Sequence, residues 1–307
     1  MDKKSIICVV LTAFCFGTME VASKLGGLSF NPIQLVFLRF AIGGVLLLPF
    51  AIADLKKRGC KLTASDYVYL FGLGIVCIGS MALMQVGLKS INANVASIII
   101  SMNPLFTMIF AKFIVGEAFT GRKAWVLLIS FIGLIIVVNP KKLISGGVNL
   151  PGLLITLLAA ALFGLYTAMG KKRLGRIGGM AQNTLTFLFG DLGLLIVMLF
   201  CKIPVFTGIT LSNLPVMLYL GFVVTAAGYF FFVKAIQLSG PSNASIAFFI
   251  KPVLAPIVAL ILLDEHITLN FVVGVVFILI GSYIKMIPEK EGESTLAAVK
   301  ASFSRKN

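Results

Sequence analysis

Charge is scarce in this chain. Asp, Glu, Lys and Arg make up 12% of its 307 residues, about half the share a soluble domain carries. There are 11 acidic residues against 26 basic ones, one histidine and one tryptophan. A lone histidine, His266, excludes a His-Glu-x-x-His zinc site. Asp264, Glu265 and His266 are consecutive, a spacing that does not aim three ligands at one point. The five cysteines, Cys8, Cys15, Cys60, Cys77 and Cys201, are odd in number and widely spaced. They form no Cys-x-x-Cys pair, so neither a disulfide framework nor a thiolate metal site is expected. No Gly-rich phosphate loop and no Gly-x-Ser-x-Gly elbow is present. The expectation is a protein that is not an enzyme and holds no metal or cofactor.

What fills the chain instead is apolar: 59% of residues, with a mean hydropathy of +1.06. That excludes a soluble globular enzyme, a disordered protein and a coiled coil, and points to lipid as the solvent. A bilayer-spanning helix needs roughly 20 apolar residues. Ten such runs can be drawn, at about 5–24, 33–53, 67–89, 93–115, 123–139, 150–169, 181–201, 214–238, 243–263 and 268–286. Each is expected to be a helix, since a lone strand in hydrocarbon leaves its backbone unpaired. The first run is too long for a signal-peptide core and reads as a retained span.

Basic residues fix the expected orientation. With the N-terminus inside, 18 Lys and Arg fall on the inner side and 5 on the outer; three lie within spans, completing the 26. Both termini are therefore expected in the cytoplasm of a cell (inner or plasma) membrane. Lys141-Lys142 is the one pair on the wrong side. The net charge of +15 sits in these short loops, which argues against nucleic acid as a partner.

The chain also repeats. Shifted by 148, residues 92–120 match 240–268 at eight of 29 positions, pairing Pro104 with Pro252, Glu117 with Glu265 and Thr120 with Thr268. Shifted by 147, Ala13, Phe16, Gly17 and Lys24 meet Ala160, Phe163, Gly164 and Lys171. Five spans per half is an odd number, so the second copy enters the membrane inverted, a recurring plan for transporters. The predicted fold is an all-α integral membrane protein of ten helices in two inverted five-helix repeats. The first repeat is 1–140, with a linker at 141–149, the second repeat at 150–287 and a cytoplasmic tail at 288–307.

These residues resemble the drug/metabolite transporter superfamily, specifically its EamA-type permeases. The resemblance covers about 5–287. It is carried by Asn103-Pro104 through Gly116-Glu117, by Lys251-Pro252 through Asp264-Glu265, and by Leu38-Arg39-Phe40. It implies a central cavity built by both halves and transport of a small metabolite or drug. Asp264 stands where the family pattern has Gly.

Charges inside a bilayer cost a few kcal/mol each and mark pathways. Lys251 lies eight residues into its span, about 12 Å deep, beside Pro252 and one turn before Pro256. It reads as a cation for a substrate carboxylate or as the partner of a buried acid. Asp191, central in the seventh span, reads as a proton site or as that partner. Glu20 and Arg39 face each other across a short loop and are expected to pair, for gating, structure or substrate contact. Asn103 takes the place of Lys251 in the first half. Tyr166 is the aromatic best suited to the cavity, because its hydroxyl needs a partner. Glu117 and Glu265, with Pro104 and Pro252, mark equivalent helix ends that read as gates, packing points or simply solvated charges. Lys112 is expected to snorkel, and Trp125, Tyr67 and Tyr69 to anchor at the interface.

The resulting expectation is a secondary carrier working by alternating access and coupled to a proton or exchange gradient. Its substrate is a small polar metabolite such as an amino acid, with export a natural direction. Membrane lipids are its surroundings, and monomer or homodimer its assembly. The alternatives are a multidrug or cationic-compound exporter, a lipid-headgroup enzyme and an ion channel.

Overall fold

The computed structural model describes residues 2–116, 120–139, 149–244 and 247–286. Among the described residues the chain is helical, with no strand. The first span is α1 (Lys3–Gly17) and α2 (Met19–Gly26), separated only by Thr18. Then come α3 (Pro32–Arg58), α4 (Ala64–Leu88), α5 (Ala93–Ser101), α6 (Asn103–Val115) and α7 (Gly121–Val138). The later part holds α8 (Leu150–Gly170), the short α9 (Leu174–Ile177) and α10 (Gly179–Phe200). A mixed helix follows: α11 (Leu214–Leu218), a π-helical stretch Tyr219–Ala227, and α12 (Gly228–Ala244). It is succeeded by α13 (Ala247–Leu263) and α14 (Leu269–Met286).

Seven helices are long and apolar enough to cross a membrane, and three shorter apolar helices, Lys123–Val138, Ile250–Leu263 and Leu269–Gly281, accompany them. Their outer faces stay greasy, with Phe200 90% and Phe113 77% exposed, as lipid contact requires. Buried among them are the charged and polar side chains of the candidate site.

Helix ends carry the expected signals. Asn31 caps α3 through its Oδ1 to Ile33 N at 2.9 Å, with Pro32 at the first turn. Thr120 caps α7 and Thr268 caps α14 in the same way, each hydroxyl accepting from a backbone N–H three residues on. Thr63 N donates to Asp66, and Thr210 N donates to Asn213, each at 2.8 Å. These matched caps lie 147 or 148 residues apart.

Packing follows the same spacing. Small residues let helices approach closely. A Cβ on Gly17 would meet Leu254 at 2.7 Å, and one on Gly164 would meet Phe106 at 2.5 Å. A Cβ on Gly133 would strike Gly274 and Ile278, and one on Gly281 would strike Val126 and Ser130. Among helices, α4 packs on α8 and α1 on α12; α6 packs on α8 and α1 on α13; α7 faces α14. Each contact has a partner in which the first and second parts of the chain exchange places.

Candidate functional site

The site is built where helices are interrupted. Thr18 breaks the first span, its hydroxyl bonding Phe14 and Cys15 carbonyls and lying 2.6 Å from the Tyr219 hydroxyl. The break places Glu20 in the first turn of α2, where free N–H groups and the helix dipole favour an anion. Met102 breaks the fourth span, making Asn103 and Pro104 the first two residues of α6. A proline there costs no hydrogen bond. In α13 the prolines act differently. Pro252 and Pro256 are interior, so each deprives a carbonyl one turn earlier of its donor, softening the helix next to Lys251.

Lys251 Nζ lies 2.6 Å from Glu20 Oε1, with side chains 2% and 0% exposed. This pairing differs from the expected ones. Glu20 is not bridged to Arg39, and the acid that meets Lys251 is not Asp191. Glu20 and Lys251 lie far apart in sequence, and only the packing of α1 and α2 against α13 brings them together.

Arg39, 1% exposed, is held by weak acceptors. Its Nη2 reaches Met19 Sδ at 3.5 Å and Met81 Sδ at 3.6 Å, and Nη1 reaches Ser23 Oγ at 3.4 Å. The guanidinium sits 4.7 Å from the centre of the Phe40 ring. From Phe40 a ribbon of rings crosses the core: Phe187 at 4.9 Å, then Tyr229 at 4.7 Å, Phe16 at 5.0 Å and Phe248 at 6.0 Å. Sequence reading missed Met19, Met81, Ser23 and Phe187 as site residues. Only their contact with Arg39 or the ribbon distinguishes them from any other apolar or small residue.

The other candidates lie around this core. Asn103 is buried and its Oδ1 has no hydrogen-bond partner among the described residues. Tyr166 donates to Asn183 Oδ1 at 2.8 Å, the partner its hydroxyl needs. Asp191 is buried on α10 with Oδ1 unpartnered among the described residues. It sits beside Gly190, whose Cβ would meet the Gly74 backbone at 2.4 Å, so α10 and α4 touch backbone to backbone there. Glu117 and Lys141-Lys142 lie outside the described residues.

Glu265 caps a helix from another part of the chain. Its Oε1 accepts from Lys24 Nζ at 3.0 Å and from Ala93 N at 2.7 Å, and its Oε2 from Asn94 N at 3.0 Å. Lys24 also donates to the Ile91 carbonyl at 2.9 Å. One carboxylate thus supplies the anion that the start of α5 needs and ties it to the ends of α2 and α13. The preceding Asp264 has φ 52°, and Gly116, 148 residues earlier, has φ 70°. Both are left-handed helix ends. Gly adopts that conformation freely and Asp with little strain, so the Asp departs from the family pattern without changing the backbone.

The opposite end of the bundle has its own clamp, which sequence reading also missed. Asp66, fully buried, accepts from Arg173 Nη1 at 2.6 Å and from Arg176 Nη2. Arg58 pairs with Asp54 at 2.9 Å and donates to the Gly175 carbonyl at 3.3 Å. The readable signal was the Thr63-x-x-Asp66 capping box. A cleft lies at each end: one of about 190 Å³ beside Asn92, Asn94 and His266, another of about 500 Å³ beside Asp54, Arg58 and Lys234. The ionic cluster between them is closed to solvent.

Comparison with known proteins agrees with this architecture. The profile of the EamA-like transporter family matches residues 3–139 and again 150–287. An uncharacterized transporter of Clostridium kluyveri is 37% identical, over 94% of this chain and 95% of its own length. An uncharacterized transporter of Archaeoglobus fulgidus is 27% identical, over 92% and 98%. A protein of Rickettsia prowazekii named S-adenosylmethionine uptake transporter is 25% identical, over 90% of each chain. A solved crystal structure covering 92% of this chain and 96% of its own superposes with a TM-score of 0.64 at 16% identity, which supports the fold alone. The chain is a multi-pass membrane protein and belongs to the EamA-like transporter family.

Proposed function

We propose that the chain is a secondary carrier of ten spans in two inverted halves, moving a small polar metabolite by alternating access. Both chain ends face the cytoplasm in this reading, so the Asp66 clamp is the inner seal and the Glu265 clamp the outer one. Support for the halves comes from the recurring caps, the exchanged glycine contacts and the family profile matching twice. Support for a carrier comes from one observation above the others: the Lys251–Glu20 pair and Arg39 are buried between broken helices, with a clamp and a cleft at each end. Broken helices that present termini and freed carbonyls near the midplane are how carriers build polar sites in lipid.

The substrate in this reading is an amino acid or a related compound, since the cluster offers both signs of charge. Asp191 is the proton site, a buried carboxylate with no ion pair among the described residues. Counterflow tests the whole. Purified protein in liposomes preloaded with unlabelled compound should accumulate the labelled compound transiently, and more strongly with a pH gradient. A channel gives no counterflow, and an enzyme returns an altered molecule.

A second substrate follows from the Rickettsia relatives. S-adenosylmethionine is an amino acid joined to an aromatic base, and the ring ribbon from Phe40 to Phe248 offers a stacking surface for such a base. The same counterflow panel should include it.

A further inference from the structure

Two groups in the buried cluster are left under-satisfied, and they are of opposite charge. A guanidinium has five N–H donors in a planar fork suited to a carboxylate. Arg39 spends its donors on two thioethers and a hydroxyl at 3.4 Å, its Nε has no partner, and no carboxylate pairs with it among the described residues. Sulfur is a weak acceptor, so these contacts are easily displaced. Glu20 is near enough to act on Arg39 electrostatically, but its Oε1 faces Lys251 and its Oε2 has no hydrogen-bond partner. With Lys251 and Glu20 cancelling, the cluster keeps one uncompensated positive charge away from water. Such a charge is expensive to maintain in a membrane interior, and a structural role gives it no return.

We propose that Arg39 is the receptor for the carboxylate of the transported molecule and that Glu20 Oε2 receives its ammonium group. This inference rests on the carrier reading and narrows it. The substrate class is an α-amino acid or close analogue whose remaining part is apolar, because the walls beside Arg39 are Met19, Met81, Phe40 and the rings of Phe187 and Tyr229. Arg39 binds the anion end to end as a fork, displacing the thioethers. Lys251 keeps Glu20 ionised and oriented, and is a positioning residue.

The test uses full-length protein in detergent and in liposomes, with four probes of one skeleton: L-phenylalanine, its methyl ester, phenethylamine and 3-phenylpropionate. L-Methionine and L-alanine grade the side chain. Thermal-shift titration should show protection by phenylalanine and methionine, weaker protection by alanine and by 3-phenylpropionate, and none by the ester or the amine. Arg39→Met should weaken phenylalanine binding roughly 30-fold or more, as expected when one partner of a desolvated charge pair is removed. Its unliganded melting temperature should stay level or rise, because an unpaired buried charge has gone. Arg39→Lys should bind measurably but less tightly, since an ammonium cannot form the fork.

The proposal is overturned if the ester or the amine protects as well as the acid. It is equally overturned if no acid in the panel protects, if Arg39→Met binds like the parent, or if Arg39→Met melts lower or fails to fold. Counterflow separates the two levels. Exchange of a labelled amine or ester but of no acid removes the role of Arg39 and leaves the carrier. Binding of the acid with no exchange of any probe removes the carrier and leaves the site.

Discussion

Lys251 and Glu20 illustrate how a buried pair constrains both of its members. Each charge alone in the membrane interior would cost several kcal/mol, and their contact at 2.6 Å offsets that cost. Removing one partner should therefore harm more than removing both. Lys251→Met and Glu20→Gln should each destabilise the unliganded protein by about 3–5 kcal/mol, and the double variant should recover most of the loss. Melting temperatures of the three variants in one detergent check this; simple additivity would show that the two side chains do not depend on each other. Glu265 makes a narrower prediction. Glu265→Gln keeps the shape but loses the charge that meets Lys24 and the α5 N-terminus, costing about 1–2 kcal/mol, whereas Asp264→Gly should be neutral or mildly stabilising at φ 52°. The charged candidates themselves were legible in the sequence because ions are rare in apolar runs. Their pairing was not. Sequence proximity favoured Glu20 with Arg39, but which way a helix face points depends on the break at Thr18 and on contacts made more than 200 residues away.

Helices here are joined by what they omit. Gly74 and Gly190 face each other so closely that a Cβ on either would lie within 2.6 Å of the opposing backbone, and neither backbone can yield without parting α4 from α10. Gly190→Ala should cost about 1–3 kcal/mol through overpacking. Gly79→Ala, on the same α4 with open space around it, should gain up to about 1 kcal/mol from helix propensity. Opposite signs from the same chemical change would tie the cost to the contact; equal effects would contradict it. The small-residue stripes were readable as spacing, since Ala13/Gly17 and Ala160/Gly164 recur at four residues. The break at Met102 and the π-helical stretch Tyr219–Ala227 were not, because both lie inside uninterrupted apolar runs whose composition suits a regular helix equally well.

Seen entire, the protein is a bundle sealed at both ends around ions it has removed from water. Both seals are electrostatic and both join distant parts of the chain: Glu265 holds α2 and α5, and Asp66 holds Arg173 and Arg176. The large plan was legible, because the hydropathy runs and the offset of 147 or 148 are properties of the chain itself. The Asp66 clamp was hidden, because Arg173 and Arg176 look like any cytoplasmic basic loop until folded. An alternating carrier requires that one seal open while the other stays shut. Cysteine labelling measures that most directly. In protein stripped of its five cysteines, Asn94→Cys and Ala181→Cys place single thiols at buried positions beside the two clamps, to be titrated with a soluble maleimide. Glu265→Gln should raise labelling at position 94 and leave 181 protected, and Asp66→Asn should do the reverse. If either change exposes both thiols together, the ends are not independent seals and the account of an alternating carrier is contradicted.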